Sequence, residues 1–309
     1  MKEKIQKCYQ AVVQHRYVKV LIDSVRDFLD NDSINFAAAT AFYTIFSLPA
    51  FVLIVLKIGG TFYGEAEVKS ELFAQVEDSI GKEARKTLEE ILENFAFVEE
   101  DQISTYLILG IIIFSATTVF VSLQAGINHI WHIKTKKDKG FIQLVISRLL
   151  SFSIVASFGF ILVVSLLLET LLAFVFQYFD FILDEINLRT ATLIQNIVSL
   201  VVLFILFVGM YKILPDAKVK WRDTFYGAFI TTLLFILGKY GINVYLTNSD
   251  LGSTYGAAGS LVIVLIWVYY SVLIFLFGGQ ITYYIAENLG GGVKPNNLAK
   301  KVYLRDAED

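Results

Sequence analysis

The stretch AAGSLVIVLIWVYYSVLIFLFGGQITYYIA, from Ala257 to Ala286, runs for 30 residues without one acidic or basic side chain. About 20 such residues carry a helix across the roughly 30 Å hydrocarbon core of a bilayer, so this segment reads as a membrane span with length to spare for tilt. Working outward from it, five further segments reach that length with few charges: Phe36 to Ile58, Ile103 to Ile127, Phe141 to Leu168, Thr190 to Leu214 and Asp223 to Thr247. None alternates apolar and polar residues with a period of two, which excludes a membrane barrel. The composition agrees, with 56% apolar, 15% aromatic and 18% charged residues among 309. Soluble domains carry about 25% charged residues. The lone Cys8 excludes a disulfide framework within the chain. The expected fold is therefore all-α and polytopic, with six transmembrane helices. It divides into an N-terminal segment 1–35, a membrane domain 36–286 and a tail 287–309.

Cations orient such a chain. Eighteen Lys and Arg residues fall before the first span, in Lys134 to Lys139, in Lys212 to Arg222 and after Glu287, against five in the alternate connections. The positive-inside rule then predicts that both termini are cytoplasmic. No charged, apolar and small-residue sequence typical of a cleaved signal opens the chain, so the first span is the expected insertion signal. Two halves of three spans would have opposite orientation, the arithmetic of an inverted repeat, although the halves show no convincing similarity.

Ahead of the first span, Ile5, Tyr9, Val12, Val13, Tyr17, Val20, Leu21, Val25 and Phe28 recur at helical spacing, with Lys4, Lys7, Arg16, Lys19 and Arg26 elsewhere on the wheel. This pattern predicts an amphipathic helix. It either lies in the membrane surface, where anionic lipid headgroups attract it, or packs against the span ends. The connection from Gly59 to Gln102 predicts two amphipathic helices broken near Gly81, forming a helical extracytoplasmic insertion. Its acidic face, including Glu65, Glu67, Glu89, Glu90 and Glu93, is either simply solvated or concentrates cations or a partner.

Within spans, polar side chains need partners or a wet cavity. Ser33, Thr40, Tyr43 or Thr44, and Ser47 repeat near heptad spacing in the first span, followed by Pro49, which is expected to kink the helix. Ser115, Thr118, Ser122, His129 and His132 advance by three and four along the second, with Gln124 and Asn128 one step round. Such faces serve either helix packing or a polar path. Lys239 is the costliest position, about 12 Å from the outer end of its span at helical rise. It is either a structural cation paired with an acid such as Glu169 or a group that holds a proton or an anionic substrate, with Asn243 and Thr232 on its stripe. The Gly-rich run before the sixth span, with Gly252, Gly256 and Gly259, permits close helix approach or a re-entrant turn.

Enzymatic chemistry has little support. The only histidines are His15, His129 and His132, and neither a zinc-protease HExxH, a phosphate-binding P-loop nor a GxSxG elbow occurs. The expectation is no enzyme, no catalytic residue, no metal and no cofactor.

INFAAATAFYTIFSLP from Ile34, LQAGINHIW from Leu123, YKILPDAKVKWRDTFYGA from Tyr211 and YGAAGSLVIVLIWVYYSVLIFLFGGQI from Tyr255 resemble the bacterial YihY / virulence-factor BrkB family, in order over nearly the whole chain. That resemblance implies a six-span protein of the bacterial inner membrane with both ends in the cytoplasm. It also implies links to serum resistance, envelope lipid export or ion exchange; an older label of the family as ribonuclease BN is a misassignment. Gln280 stands where the family commonly has Glu, so the resemblance does not extend proton coupling to that site.

The function expected is transport of a small solute, ion or lipid-like envelope component along a path lined by Tyr43, Ser47, Gln124, Asn128, Lys239, Asn243, Trp267 and Tyr270. The alternative is a non-transporting scaffold for envelope assembly, whose phenotype would disappear on deletion of Glu65 to Glu100. Expected partners are membrane lipids, anionic headgroups at the N-terminal helix and further copies of the chain, with no nucleic acid.

Overall fold

A computed structural model describes residues 16–96, 102–136, 188–248, 259–297 and 299–302. The predicted third span, the first turns of the amphipathic segment and the Gly252–Gly256 run lie outside the described residues. Eight helices carry the described chain: α1 (Arg16–Asp30), α2 (Ser33–Tyr63), α3 (Glu65–Ile80), α4 (Lys82–Ala96), α5 (Gln102–Ile130), α6 (Leu188–Ile213), α7 (Trp221–Asn248) and α8 (Gly259–Asn288). Four short strands join them: β1 (Ile133–Thr135), β2 (Ala217–Lys218), β3 (Lys294–Pro295) and β4 (Ala299–Lys301).

Three of these helices are long and apolar enough to cross a membrane, over Asn196–Ile213, Trp221–Ile242 and Leu261–Asn288. They coincide with the last three predicted spans. Helices α2 and α5 overlie the first two, and side chains are described for only part of each. Helix α2 continues through Pro49. On α7, Phe225, Phe229, Leu237, Tyr240 and Val244 are exposed, the outward apolar surface that lipid accommodates without cost.

Small residues set the spacing of α7 and α8. A Cβ added at Gly227 would lie 1.8 Å from Thr282 Oγ1, one at Gly278 would lie 1.9 Å from Thr231 Oγ1, and one at Gly238 would overlap the Tyr270 hydroxyl. The pairs 227/282, 231/278 and 238/270 descend in antiparallel register, so each Gly-x-x-x-Thr of one helix receives the threonine of the other. Both hydroxyls donate to their own helix, Thr231 to the Gly227 carbonyl at 2.8 Å and Thr282 to that of Gly278 at 2.7 Å. Neither threonine hydrogen is thereby left bare in the apolar seam. Tyr211 of α6 closes the same layer. Its buried hydroxyl donates to the Phe275 carbonyl at 2.8 Å and stands 2.9 Å from Thr231 Oγ1, and its ring stacks on Phe275 with centroids 5.2 Å apart.

Helix α2 packs on α5 through the face predicted from heptad spacing. Ser33, Thr40 and Ser47 are buried, and Thr40 Oγ1 meets Ser122 Oγ at 2.7 Å. Helices α3 and α4 fold onto the far part of α2, where Val52, Val55 and Leu56 share a core with Val68, Phe73, Leu88 and Leu92. The chain turns between them at Gly81, whose φ of 105° suits glycine. Arg85 bridges back to Glu77 at 2.6 Å.

Helix α1 docks on α8, burying Val20 against Ile281 and Ile285, with Arg16 donating to the Asn288 carbonyl. A second apolar stripe, Leu21, Val25 and Leu29, stays exposed. The segment after α8, expected as a tail, is stitched into the body as far as Val302. Antiparallel pairs β1–β4 and β2–β3 tie it to the connections that follow α5 and α6, and Val302 N–H donates to the His132 carbonyl at 2.7 Å. Two- and three-residue strands carry too little periodicity to be read from sequence.

Candidate functional site

The eight path residues expected from sequence do not form one constellation. They separate into an α7–α8 group, a fastened pair at the end of α5, and two positions on α2.

On α7 and α8, the Tyr270 hydroxyl seats against Gly238, the residue before Lys239. Trp267, one turn earlier on α8, meets Phe235 edge to face with centroids 6.3 Å apart, and Phe235 lies one turn before Lys239 on α7. Lys239 is itself partly buried. Lys239, Trp267 and Tyr270 therefore belong to one stretch of the α7–α8 seam. Asn243 lies one turn further along α7, and its side chain is outside the described set.

Gln124 and Asn128 are engaged elsewhere. Gln124 donates to Asp216 Oδ1 at 3.4 Å and Asn128 to Oδ2 at 3.1 Å, while the Asp216 backbone N–H returns a bond to Asn128 Oδ1 at 2.8 Å. The Thr135 hydroxyl reaches the same carboxylate at 3.3 Å, and Asn296 N–H donates to the Asp216 carbonyl at 2.9 Å. Asp216 thus ties the end of α5, the α6–α7 connection and the C-terminal segment together. The only sequence cue to it is an acid directly after Pro215 in a connection otherwise carrying Lys212, Lys218, Lys220 and Arg222. On α2, Ser47 is buried, whereas Tyr43 is 42% exposed beside Phe42 and Phe46 on the outward face. Tyr43 and Ser47 therefore look to different sides of their helix.

A second polar cluster gathers where α1, the α5–β1 turn and α8 meet; the sequence reading named its His132 and Gln280 separately but not Asp27 or Tyr284. Gln280, fully buried, donates through Nε2 to Asp27 Oδ2 at 2.8 Å. The Tyr284 hydroxyl lies near the Asp27 carboxylate, and His132 Nε2 stands 3.8 Å from the same Oδ2. Burial pushes the His132 imidazole below its ordinary value, more than the Asp27 carboxylate raises it, with His129 and Lys301 adding to the fall. His132 has a φ of 54°, a left-handed turn that stops α5. Next to it, buried Trp131 donates its indole N–H to the Gly279 carbonyl at 2.9 Å, fixing that turn against α8. Glu287 is paired with Lys301 at 2.6 Å. Among the described residues, no three His, Cys, Asp or Glu side chains gather as metal ligands.

Against this geometry stand the relatives of the chain. The model of the family described as virulence factor BrkB matches residues 24–302. A UPF0761 membrane protein of Psychromonas ingrahamii is 24% identical over 270 residues, covering 86% of each chain. One of Alteromonas mediterranea is 26% identical over 260 residues, covering 84% of each. One of Yersinia pestis is 28% identical over 222 residues, covering 72% of this chain and 70% of the relative. No solved structure matches. The chain belongs to the virulence factor BrkB family.

Proposed function

We propose that this member of the virulence factor BrkB family is a six-span protein of the bacterial inner membrane that moves a small solute, an ion or a lipid-like envelope component. Both termini lie in the cytoplasm on this reading, which rests on the bias of Lys and Arg between alternate connections. It is not an enzyme, and it works without a cofactor.

The observation that carries the reading is Lys239, a partly buried cation within the apolar α7, beside the seam where Tyr270 meets Gly238. A charge at such a depth costs about 2.5–3.5 kcal/mol even on the lower scales, and intramembrane ionisable groups mark substrate and ion pathways. Lys239 holds an anionic group or a proton, and Trp267 and Tyr270 form an aromatic wall. Gln124 and Asn128, bonded to Asp216, are left out of the path on this reading. The stripe of Leu21, Val25 and Leu29 with Lys19 and Arg26 on α1 suits a helix that also rests on anionic headgroups.

Reconstituted in liposomes, Lys239→Met is expected to lose flux of the transported species while keeping the elution profile and melting temperature of the parent. Undiminished flux in that variant refutes the path.

The scaffold reading draws on the acidic α3–α4 hairpin. Because that hairpin shares a core with Val52, Val55 and Leu56, its deletion would uncover α2 and confound the result. Replacing exposed Glu67 and Glu93 by Gln is the cleaner test: a scaffold loses its partner, and a transporter keeps its flux.

A further inference from the structure

The two short ladders that hold the C-terminal segment set lysine against lysine. In β1–β4, Lys134 stands directly opposite Lys300, and in β2–β3, Lys218 stands directly opposite Lys294. All four residues are exposed, while the neighbouring Ile133, Ala217 and Ala299 are buried, so each pair lies on the outer side of its ladder. Directly opposed residues of an antiparallel pair have Cβ atoms about 4.5–5.5 Å apart, and like charges there work against the pairing.

The fold does not neutralise these charges from within. Among the described residues, none of the four lysines makes an ion pair. Asp216, two residues before Lys218, gives its carboxylate to Gln124, Asn128 and Thr135. Glu287 holds Lys301 at 2.6 Å, and buried Asp223 has Arg222 Nε at 3.9 Å. Ladders of two and three residues have few backbone bonds to set against the repulsion, so an external anion bridging each pair would stabilise the clasp.

The position of the pairs identifies that anion. Lys218 lies three residues before Trp221, where α7 begins, and Lys134 four residues after Ile130, where α5 ends. Lys220 and Arg222, also exposed, carry the basic run to Trp221. From Trp221 an exposed apolar stripe of Phe225, Phe229, Leu233 and Leu237 follows α7 in four-residue steps. Acyl chains cover such a stripe, and long basic side chains at its end reach headgroups. Lys212 stands outside the set, because its Nζ donates to the Val219 carbonyl and lies 5.1 Å over the Trp221 ring. A soluble anion would meet the lysines and leave the stripe uncovered.

We propose that the two opposed lysine pairs form a docking surface for anionic phospholipid, one headgroup phosphate bridging each pair, with the chains of the lipid at Lys218 and Lys294 lying along α7. The surface rests on α7 being a membrane span. It asks nothing of Lys239 or of transport.

The test uses the purified full-length chain in mixed micelles of detergent and phosphatidylcholine, titrated with phosphatidylglycerol. Native mass spectrometry counts the lipids retained, and thermal melts read stability. The expected result is retention of phosphatidylglycerol over phosphatidylcholine, with a melting temperature that rises with phosphatidylglycerol, falls back as NaCl is added, and does not rise with inorganic phosphate. Lys218→Gln/Lys294→Gln is expected to weaken phosphatidylglycerol binding roughly thirtyfold, the combined effect of two basic residues at a membrane surface, and Lys134→Gln/Lys300→Gln to weaken it similarly. Lys82→Gln/Lys86→Gln, the same change of charge at exposed positions of α4, is expected to bind as the parent does. In phosphatidylcholine alone both pair variants are expected to melt at or above the parent, because the opposed charges are gone; a purely structural role for the lysines predicts the opposite sign. Pair variants that melt below the parent there, or that keep its full response to phosphatidylglycerol, overturn the proposal. Equal retention of the two lipids, or an equal rise with inorganic phosphate, overturns it as well. Binding of a short single-stranded RNA more tightly than phosphatidylglycerol, lost in the pair variants, would assign the surface to nucleic acid instead. A parent chain indifferent to phosphatidylglycerol sinks this surface and leaves the transport reading standing; undiminished flux in Lys239→Met sinks the path and leaves this surface standing.

Discussion

Gly227→Ala tests whether the α7–α8 seam is a close-packed contact that holds the membrane domain together. The added Cβ would sit 1.8 Å from Thr282 Oγ1, 2.7 Å from its Cβ and 3.1 Å from its Cγ2. Restoring an ordinary contact near 3.4 Å requires the helices to part locally by about 1.6 Å, in an interior that is already close-packed. Thr282 is short and β-branched, so it has no flexible end that can swing away. Overpacking of this kind costs about 1–3 kcal/mol. The proper control is Gly241→Ala on the same helix, where a new Cβ meets nothing within 4 Å and alanine gains about 1 kcal/mol of helix propensity. Because that gain is common to both variants, they are expected to differ by the overpacking cost alone, about 1–3 kcal/mol, on the order of 2–8 °C in melting temperature for a chain of this size. Thermal unfolding in detergent, followed by tryptophan fluorescence, reads the difference. Adding Thr282→Gly to Gly227→Ala removes all three colliding atoms and is expected to recover part of the loss. A Gly227→Ala chain as stable as Gly241→Ala would refute the close approach itself.

Further outcomes follow from the polar junctions. Asn128→Leu leaves the Asp216 carboxylate and backbone N–H each short of a partner, and is expected to lower stability by about 2–4 kcal/mol; Gln124→Leu, losing only a bond of 3.4 Å, is expected to cost under about 1 kcal/mol. Thermal melts of the two variants compare them directly. His132 gives a pH dependence of definite sign. Asp27 and Glu287 raise its imidazole while burial, His129 and Lys301 lower it, with a net fall below 6.5, so the unfolded chain takes up this proton first on acidification. The contribution to stability is full above about pH 6.5 and is lost as pH falls from there through the folded value, then levels off. His132→Asn, which tolerates the left-handed backbone, is expected to flatten that segment of a plot of melting temperature against pH; an unchanged slope refutes the assignment. Lys239→Met is expected to retain this stability profile while losing flux.

The seam residues were legible as types but not as pairs. Ser33, Thr40 and Ser47 announce a buried face by their heptad spacing, and that face is where α2 meets α5. Lys239, Trp267 and Tyr270 stand out as polar or aromatic positions in apolar helices, and they do share one stretch of the α7–α8 seam. Gln124 and Asn128 stand out equally, yet their partner Asp216 lies 92 and 88 residues further along. Nothing in the local pattern distinguishes a side chain that lines a path from one that fastens a connection. Asp27 was hidden more deeply. It reads as one acid on the polar side of an amphipathic helix, and acquires meaning only against Gln280, 253 residues away.

By itself the sequence determined what depends on composition and short-range period: helices of membrane length, their apolar character, the break at Gly81, and the uneven spread of Lys and Arg. Those properties follow from adding up neighbouring residues against a bilayer of fixed thickness. The tertiary structure alone decided which glycine receives which threonine, that Lys294–Pro295 and Ala299–Lys301 are stitched back into the body, and that Asp27, Gln280, Tyr284 and His132 converge. In a bilayer every apolar helix face is acceptable to lipid. The choice among faces therefore rests on van der Waals fit and hydrogen bonds between residues far apart in the chain, for which one-dimensional periodicity carries no record.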